Sequence, residues 1–184
     1  MIERPSTALG NITDLGEVEA QVTGIVRGFA PAHDMSRVNE GFALLRSAFA
    51  GELSGYAPLQ TLYHNRIHTN EVVLCTARML HGLQLSGQGL NGHYIDAALI
   101  GALMHDIGYL MKHSELRAGE SNTGAQYTAT HVVRGVEFVR EQLAHLPHDV
   151  LASTVKVIQV TDHRQHPDWV KFDNAQEQLA AYAT

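Results

Sequence analysis

With one cysteine, Cys75, among 184 residues, no disulfide can form within this chain. No apolar run approaches the roughly 20 residues that a membrane-spanning helix needs, so no membrane association is expected. Basic residues are few, 13 against 19 acidic ones for a formal net charge of -6, and they form no run. That balance argues against a nucleic acid polymer as partner. No apolar core follows Met1-Ile2-Glu3-Arg4-Pro5, so the start does not read as a signal peptide, and the expected compartment is the cytoplasm. Strand signals are almost missing, and neither an internal repeat nor a low-complexity tract is present.

What is there is helical. Hydrophobic residues make up 45% and charged residues 17%, ordinary for a globular protein long enough to bury a core. Residues 1–13, with Pro5, Ser6, Thr7, Gly10 and Asn11, read as a flexible lead-in. A helix is expected over about 14–30, with Leu15, Val18, Val22, Ile25, Val26 and Phe29 on one face and Pro31 as its stop. Others are expected over about 36–50 and 65–85, the latter with Ile67, Val72, Cys75, Met79 and Leu83 as its apolar stripe. Cys75 reads there as a small core residue. After a flexible connector, helices follow over 94–106, 125–146 and 148–162, with a polar loop over 108–124 and a short helix near 114–117. Asp173, with Gln176 three residues on, reads as the cap of a last helix. The fold class is therefore all-α, a compact single-domain multi-helix array over residues 14–184.

Histidine is the unusual count, at 12. His33, His81, His145 and His148 lie beside proline or glycine and read as surface residues. Three other places differ. The uncharged run from Ala97 to Met104 ends in His105-Asp106, and an imidazole and a carboxylate closing a buried helix need a partner. That partner can be a hydrogen bond at the helix end or a divalent cation. His64 and His68 stand four apart, one helical turn from each other on a common face. Thr161-Asp162-His163 closes another apolar helical run.

The order His … His-Asp … Asp on successive helices resembles the HD superfamily of metal-dependent phosphohydrolases. Tyr63-His64-Asn65-x-x-His68-x-x-Glu71-Val72 is similar to the opening motif of the class I cyclic-nucleotide phosphodiesterases. Ile158-x-x-Thr161-Asp162 is similar to a later segment of that family, and the likeness spans about residues 63–166. The resemblance implies His68, His105 and Asp106 as metal ligands, Asp106 also acting in catalysis by bridging two ions. It implies His64 as the acid that protonates a leaving oxygen, with Tyr63, Asn65 and Thr161 near the substrate. The cofactor implied is a divalent ion, Mn, Fe, Zn, Co or Ni, with Mg at a second position. The implied substrate is a small phosphate ester, a cyclic or ordinary nucleotide among them.

Where the phosphodiesterases continue His-Asp-x-Asp-His, this chain reads His105-Asp106-Ile107-Gly108-Tyr109. His131 resembles a histidine that other HD branches use for a further metal. The closing ligand is Asp162 in the simplest HD pattern; the phosphodiesterases take it from a later helix, which leaves open a ligand past Thr184 in a longer chain. The reading also leaves open a catalytically silent HD-like module that binds a ligand or signalling partner, and a homodimer formed through the N-terminal helices.

Overall fold

The computed structural model describes residues 11–119 and 122–184. Among them lie seven α-helices: α1 Leu15–Phe29, α2 Ser36–Ala50, α3 Arg66–Leu85, α4 Gly92–Met104, α5 His131–Gln142, α6 His148–Val160 and α7 Ala175–Tyr182. Single 3-10 turns cover Ile107–Tyr109, His113–Glu115, Ala125–Tyr127 and Pro167–Trp169. No strand occurs among the described residues, which hold one isolated antiparallel bridge, Tyr56 to Lys112. The all-α expectation holds. None of the helices is long and apolar enough to cross a membrane.

Local signals set the first two helices. Asp14 caps α1 by accepting the Glu17 N–H at 2.9 Å, and Leu15, Val18, Val22 and Val26 bury one face. Gly51, at φ +73°, ends α2 in the left-handed region that favours glycine. Of the expected lead-in, residues 1–10 lie outside the described residues. Ile12 is tied to α3, its carbonyl accepting from Asn70 Nδ2 at 2.7 Å.

Helix α4 is the axis of the array. Every residue from Tyr94 to Met104 is buried, and α2, α3, α6 and α7 all pack on it. A Cβ on Gly101 would lie 2.3 Å from Val157 Cγ1, so the bare backbone there lets α6 sit close. A carboxylate on such a helix needs hydrogen-bonding partners. Asp96, fully buried, takes them from His33 Nε2 and Arg37 Nη1, each at 2.9 Å. The expectation that His33 is a surface residue is thereby corrected; its ring is folded in against Asp96.

Other boundaries and faces also shift. Helix α3 buries Thr69, Asn70, Val73, Leu74, Thr76, Ala77 and Leu80, whereas Ile67, Cys75 and Met79 are exposed. Polar Asn70 and Thr76 can face the core because each finds a carbonyl, Ile12 O and Val72 O. That disguises the buried face in the sequence and corrects both the stripe and the placing of Cys75. The expected 125–146 helix begins only at His131. Upstream, the hydroxyls of Thr128 and Thr130 bond back to the carbonyls of Ala125 and Tyr127, competing with helix propagation. Asn174, not Asp173, caps α7, accepting the Glu177 N–H at 3.1 Å. Asp173 turns instead to Lys156 Nζ at 3.1 Å.

Candidate metal centre

The site gathers at one carboxylate. Asp106 follows the end of α4, where the 3-10 turn Ile107–Tyr109 folds the chain back against α5. Its Oδ2 lies 2.7 Å from His64 Nδ1, 2.9 Å from His105 Nε2 and 3.3 Å from His68 Nε2. Its Oδ1 lies 3.7 Å from His131 Nε2. Five of the residues singled out in the sequence thus meet, brought from the segment before α3, from α3, from the end of α4 and from the start of α5.

Hydrogen bonds behind the rings assign their tautomers. His105 Nδ1 is 2.7 Å from the Ala102 carbonyl and His131 Nδ1 is 2.9 Å from the Thr128 carbonyl. A carbonyl only accepts, so both Nδ1 atoms carry protons. In the neutral rings the lone pairs then sit on Nε2, and both Nε2 atoms face Asp106. His68 Nε2 and His105 Nε2 also face each other at 3.2 Å. Converging lone pairs and a carboxylate call for a proton or a cation between them. His64, His68 and Asp106 each offer a ligand atom, all within 4.8 Å of one another, so the group could hold a metal ion.

Electrostatics keep Asp106, His68 and His131 in metal-binding form, and His105 goes the other way. Burial acts to raise Asp106, but the hydrogen bonds and charge of His105 and His64 win and hold it at about 2. Burial and the neighbouring His105 lower the pKa of His68. Burial also lowers His131, against the pull of the Thr128 carbonyl. His105 moves up: its burial is outweighed by the hydrogen bond and charge of Asp106.

The remaining sequence candidates take supporting places. Asn65 caps α3, its Oδ1 accepting from the N–H groups of Ile67 at 2.9 Å and His68 at 3.2 Å, while its Nδ2 donates to the Leu62 carbonyl at 2.8 Å. The cap thus fixes the turn that carries His64. Asn65→Ala is expected to cost about 1–2 kcal/mol, read as a fall in melting temperature of about 2–8 °C. An unchanged melting curve would show that the cap contributes nothing. Tyr63 is 71% exposed, its ring edge-on to His64 at 5.1 Å and tilted over His68 at 5.3 Å. The Thr161 hydroxyl donates to the Ile158 carbonyl at 2.7 Å. Asp162 is buried, and both its oxygens are taken by Arg164, from Nε and Nη2, each at 2.8 Å. The Arg164 hydrogen bonds lower its pKa.

Sequence reasoning passed over three residues that shape the site. Tyr109, buried, lies under the rings of His64 and His131. Arg134 holds the turn before it, donating to the carbonyls of Gly108 at 3.0 Å and Leu110 at 2.8 Å while pairing with Glu115 and lying over the Tyr127 ring. Arg164 anchors Asp162. The spacing of Arg164 to Asp162 is visible in the chain; the other two depend on tertiary placement. Comparison of the chain with protein-family models, with curated proteins and with solved structures finds no match.

Proposed function

We propose that this chain is a metal-dependent phosphohydrolase of the HD type, cleaving a phosphate ester of a small organic phosphate, with cyclic and ordinary nucleotides as the first substrates to try. The observation that carries the reading is the convergence on Asp106 of four imidazoles, two of them with Nε2 freed by a backbone carbonyl at Nδ1. Ligands of this mixed nitrogen and oxygen type suit Mn, Fe, Zn, Co or Ni, with Mg at an oxygen-rich position. His68, His105 and Asp106 would hold the ion, with His131 as a further donor. A divalent ion held there lowers the pKa of a water and offsets charge on a phosphoryl group.

His64 has a different geometry, which supports a different role. It meets Asp106 through Nδ1, so its Nε2 is directed elsewhere, and its side chain is 32% exposed. A carboxylate on Nδ1 holds that edge of the ring and leaves Nε2 on the far side from Asp106. His64 Nε2 can then give its proton to the leaving oxygen of an ester. Tyr63, standing over His68 and open to solvent, would flank the organic part of the substrate.

Metal content of the purified protein by plasma mass spectrometry tests the first half of the reading, beside a His105→Ala/Asp106→Ala double variant. About one or two transition-metal ions per chain, lost in the double variant, is the expected result. Hydrolysis of bis(p-nitrophenyl) phosphate and p-nitrophenyl phosphate with each metal tests the second half. Metal retained without any turnover, including on cyclic nucleotides, would favour the silent ligand-binding module.

A further inference from the structure

His64 and His131 lie 67 positions apart and come from separate elements, yet their rings are only 6.1 Å apart, centroid to centroid. Tyr109 meets both. Its ring centroid is 4.6 Å from that of His64, with 22° between the planes, and 4.5 Å from that of His131, with 13° between them. Rings on opposite faces of the phenol would be about 7 Å or more apart, twice a van der Waals contact distance. At 6.1 Å the two imidazoles must lie side by side over one face of Tyr109.

This arrangement supplies something that the hydrogen bonds do not. The contact from His64 Nδ1 to Asp106 Oδ2, at 2.7 Å, holds one edge of the ring. His131 is held at Nδ1 by the Thr128 carbonyl, and its Nε2 is 3.7 Å from Asp106, beyond hydrogen-bonding distance. Each ring thus has one hydrogen bond at Nδ1, and a flat, buried surface beneath both rings adds a second restraint on their planes.

Tyr109 is such a surface. It is 2% exposed, and its N–H bonds the Asp106 carbonyl at 3.1 Å, so it is tied to the same turn as the carboxylate. The backbone on either side of the ring's own turn is closely packed. A Cβ on Gly108 would meet the His131 carbonyl at 1.8 Å, and one on Gly124 would meet the Tyr109 carbonyl at 2.0 Å. Gly124 also holds φ +79°, where a side chain is strained.

We propose that Tyr109 is a positioning residue: its ring face sets the planes of His64 and His131, and so aims His64 Nε2 away from the metal donors and toward the substrate. The inference about aim rests on the hydrolase reading above; the inference about ring planes does not. The ring face carries this role and the hydroxyl, which hydrogen-bonds the Thr128 side chain, does not, which separates it from a proton-transfer role for the phenol.

The test compares Tyr109→Phe and Tyr109→Leu with the native protein, each loaded with Zn, by nuclear magnetic resonance of the histidine rings and by turnover of bis(p-nitrophenyl) phosphate. In the native protein, ring protons of His64 and His131 are expected upfield and in Overhauser contact with Tyr109. Phenylalanine should keep those signals, kcat and metal content. Leucine should move both sets of ring signals and lower kcat by about 10²-fold, with KM held and the ion on His68, His105 and Asp106 retained. Native ring protons without the upfield displacement or the Overhauser contacts would overturn the proposal, even if the leucine variant does not fold. So would a leucine variant with unmoved ring signals, or a phenylalanine variant as impaired as the leucine one. A native protein inactive on every ester would defeat the hydrolase reading, while the ring signals would still decide the role of Tyr109.

Discussion

Replacing Asp106 with asparagine is expected to weaken metal binding by about 10²–10⁴-fold, read by titration of the metal-free protein with Zn. The figure follows from the about 3–5 kcal/mol lost when one partner of a buried charge cluster is removed. Asparagine keeps the size and one acceptor oxygen. It loses the charge, and it puts an amide in the midst of four imidazoles whose nitrogens face the carboxylate. No neighbour can substitute, because Asp162, the other buried carboxylate near His131, is already forked by Arg164. An affinity within about threefold of native would place the metal elsewhere.

The same substitution has a pH-shaped effect on the metal-free protein. His105 is held above its ordinary value of 6.5, so its stabilising contribution is full below that pH and fades as pH climbs through the folded value. Asp106 is held below its ordinary 3.8, so its contribution is full above that pH and is lost as pH falls toward 2. Both are charged together between these limits. Urea unfolding in the presence of a chelator should therefore show the largest gap between native and Asp106→Asn between about pH 4 and pH 6.5. A gap that widened above pH 8 would contradict this pairing.

What could be read from the chain was what local chemistry decides. Asp14 before an apolar period and Pro31 after it bound α1 without help from the rest of the molecule. The face of α3 is disguised in the sequence because buried Asn70 and Thr76 donate to carbonyls, one of them, Ile12 O, outside the helix. The start of α5 was misread because threonine hydroxyls close a turn that periodicity alone would continue as helix. His33 was placed outside because the chain gives no sign that Asp96, 63 residues on, needs it.

The site divides in the same way. Ligand-type side chains announce themselves: spacing and helix ends mark His64, His68, His105 and Asp106, and a family resemblance marks His131. Residues that hold those five in place use ring faces, guanidinium forks and bare backbone, which carry no mark in a sequence. Asp162 stands between the two classes. Its place after an apolar helix is legible, and so is Arg164 two residues on, but that the guanidinium takes both its oxygens is read only from the fold.

Gly108→Ala is the change with the largest expected effect on stability. A Cβ there would lie 1.8 Å from the His131 carbonyl oxygen and 2.7 Å from the Gly135 nitrogen. Both are backbone atoms of α5, so no side chain can swing aside; the turn or the helix must move. Movement parts His131 from the Tyr109 face and stretches the 3.0 Å bond from Arg134 Nε to the Gly108 carbonyl. The cost should reach the upper end of the overpacking range, about 3 kcal/mol, or about 6–12 °C in melting temperature. Gly135, across the same contact, supplies the control. Its added Cβ meets nothing nearer than 3.5 Å, and alanine favours the helix by about 1 kcal/mol. Gly135→Ala should therefore melt at or slightly above the native temperature while Gly108→Ala melts well below it. Two variants that melt together would mean that the turn and α5 do not cross backbone to backbone at Gly108. The close approach that brings His131 to the Asp106 cluster would then have to be abandoned.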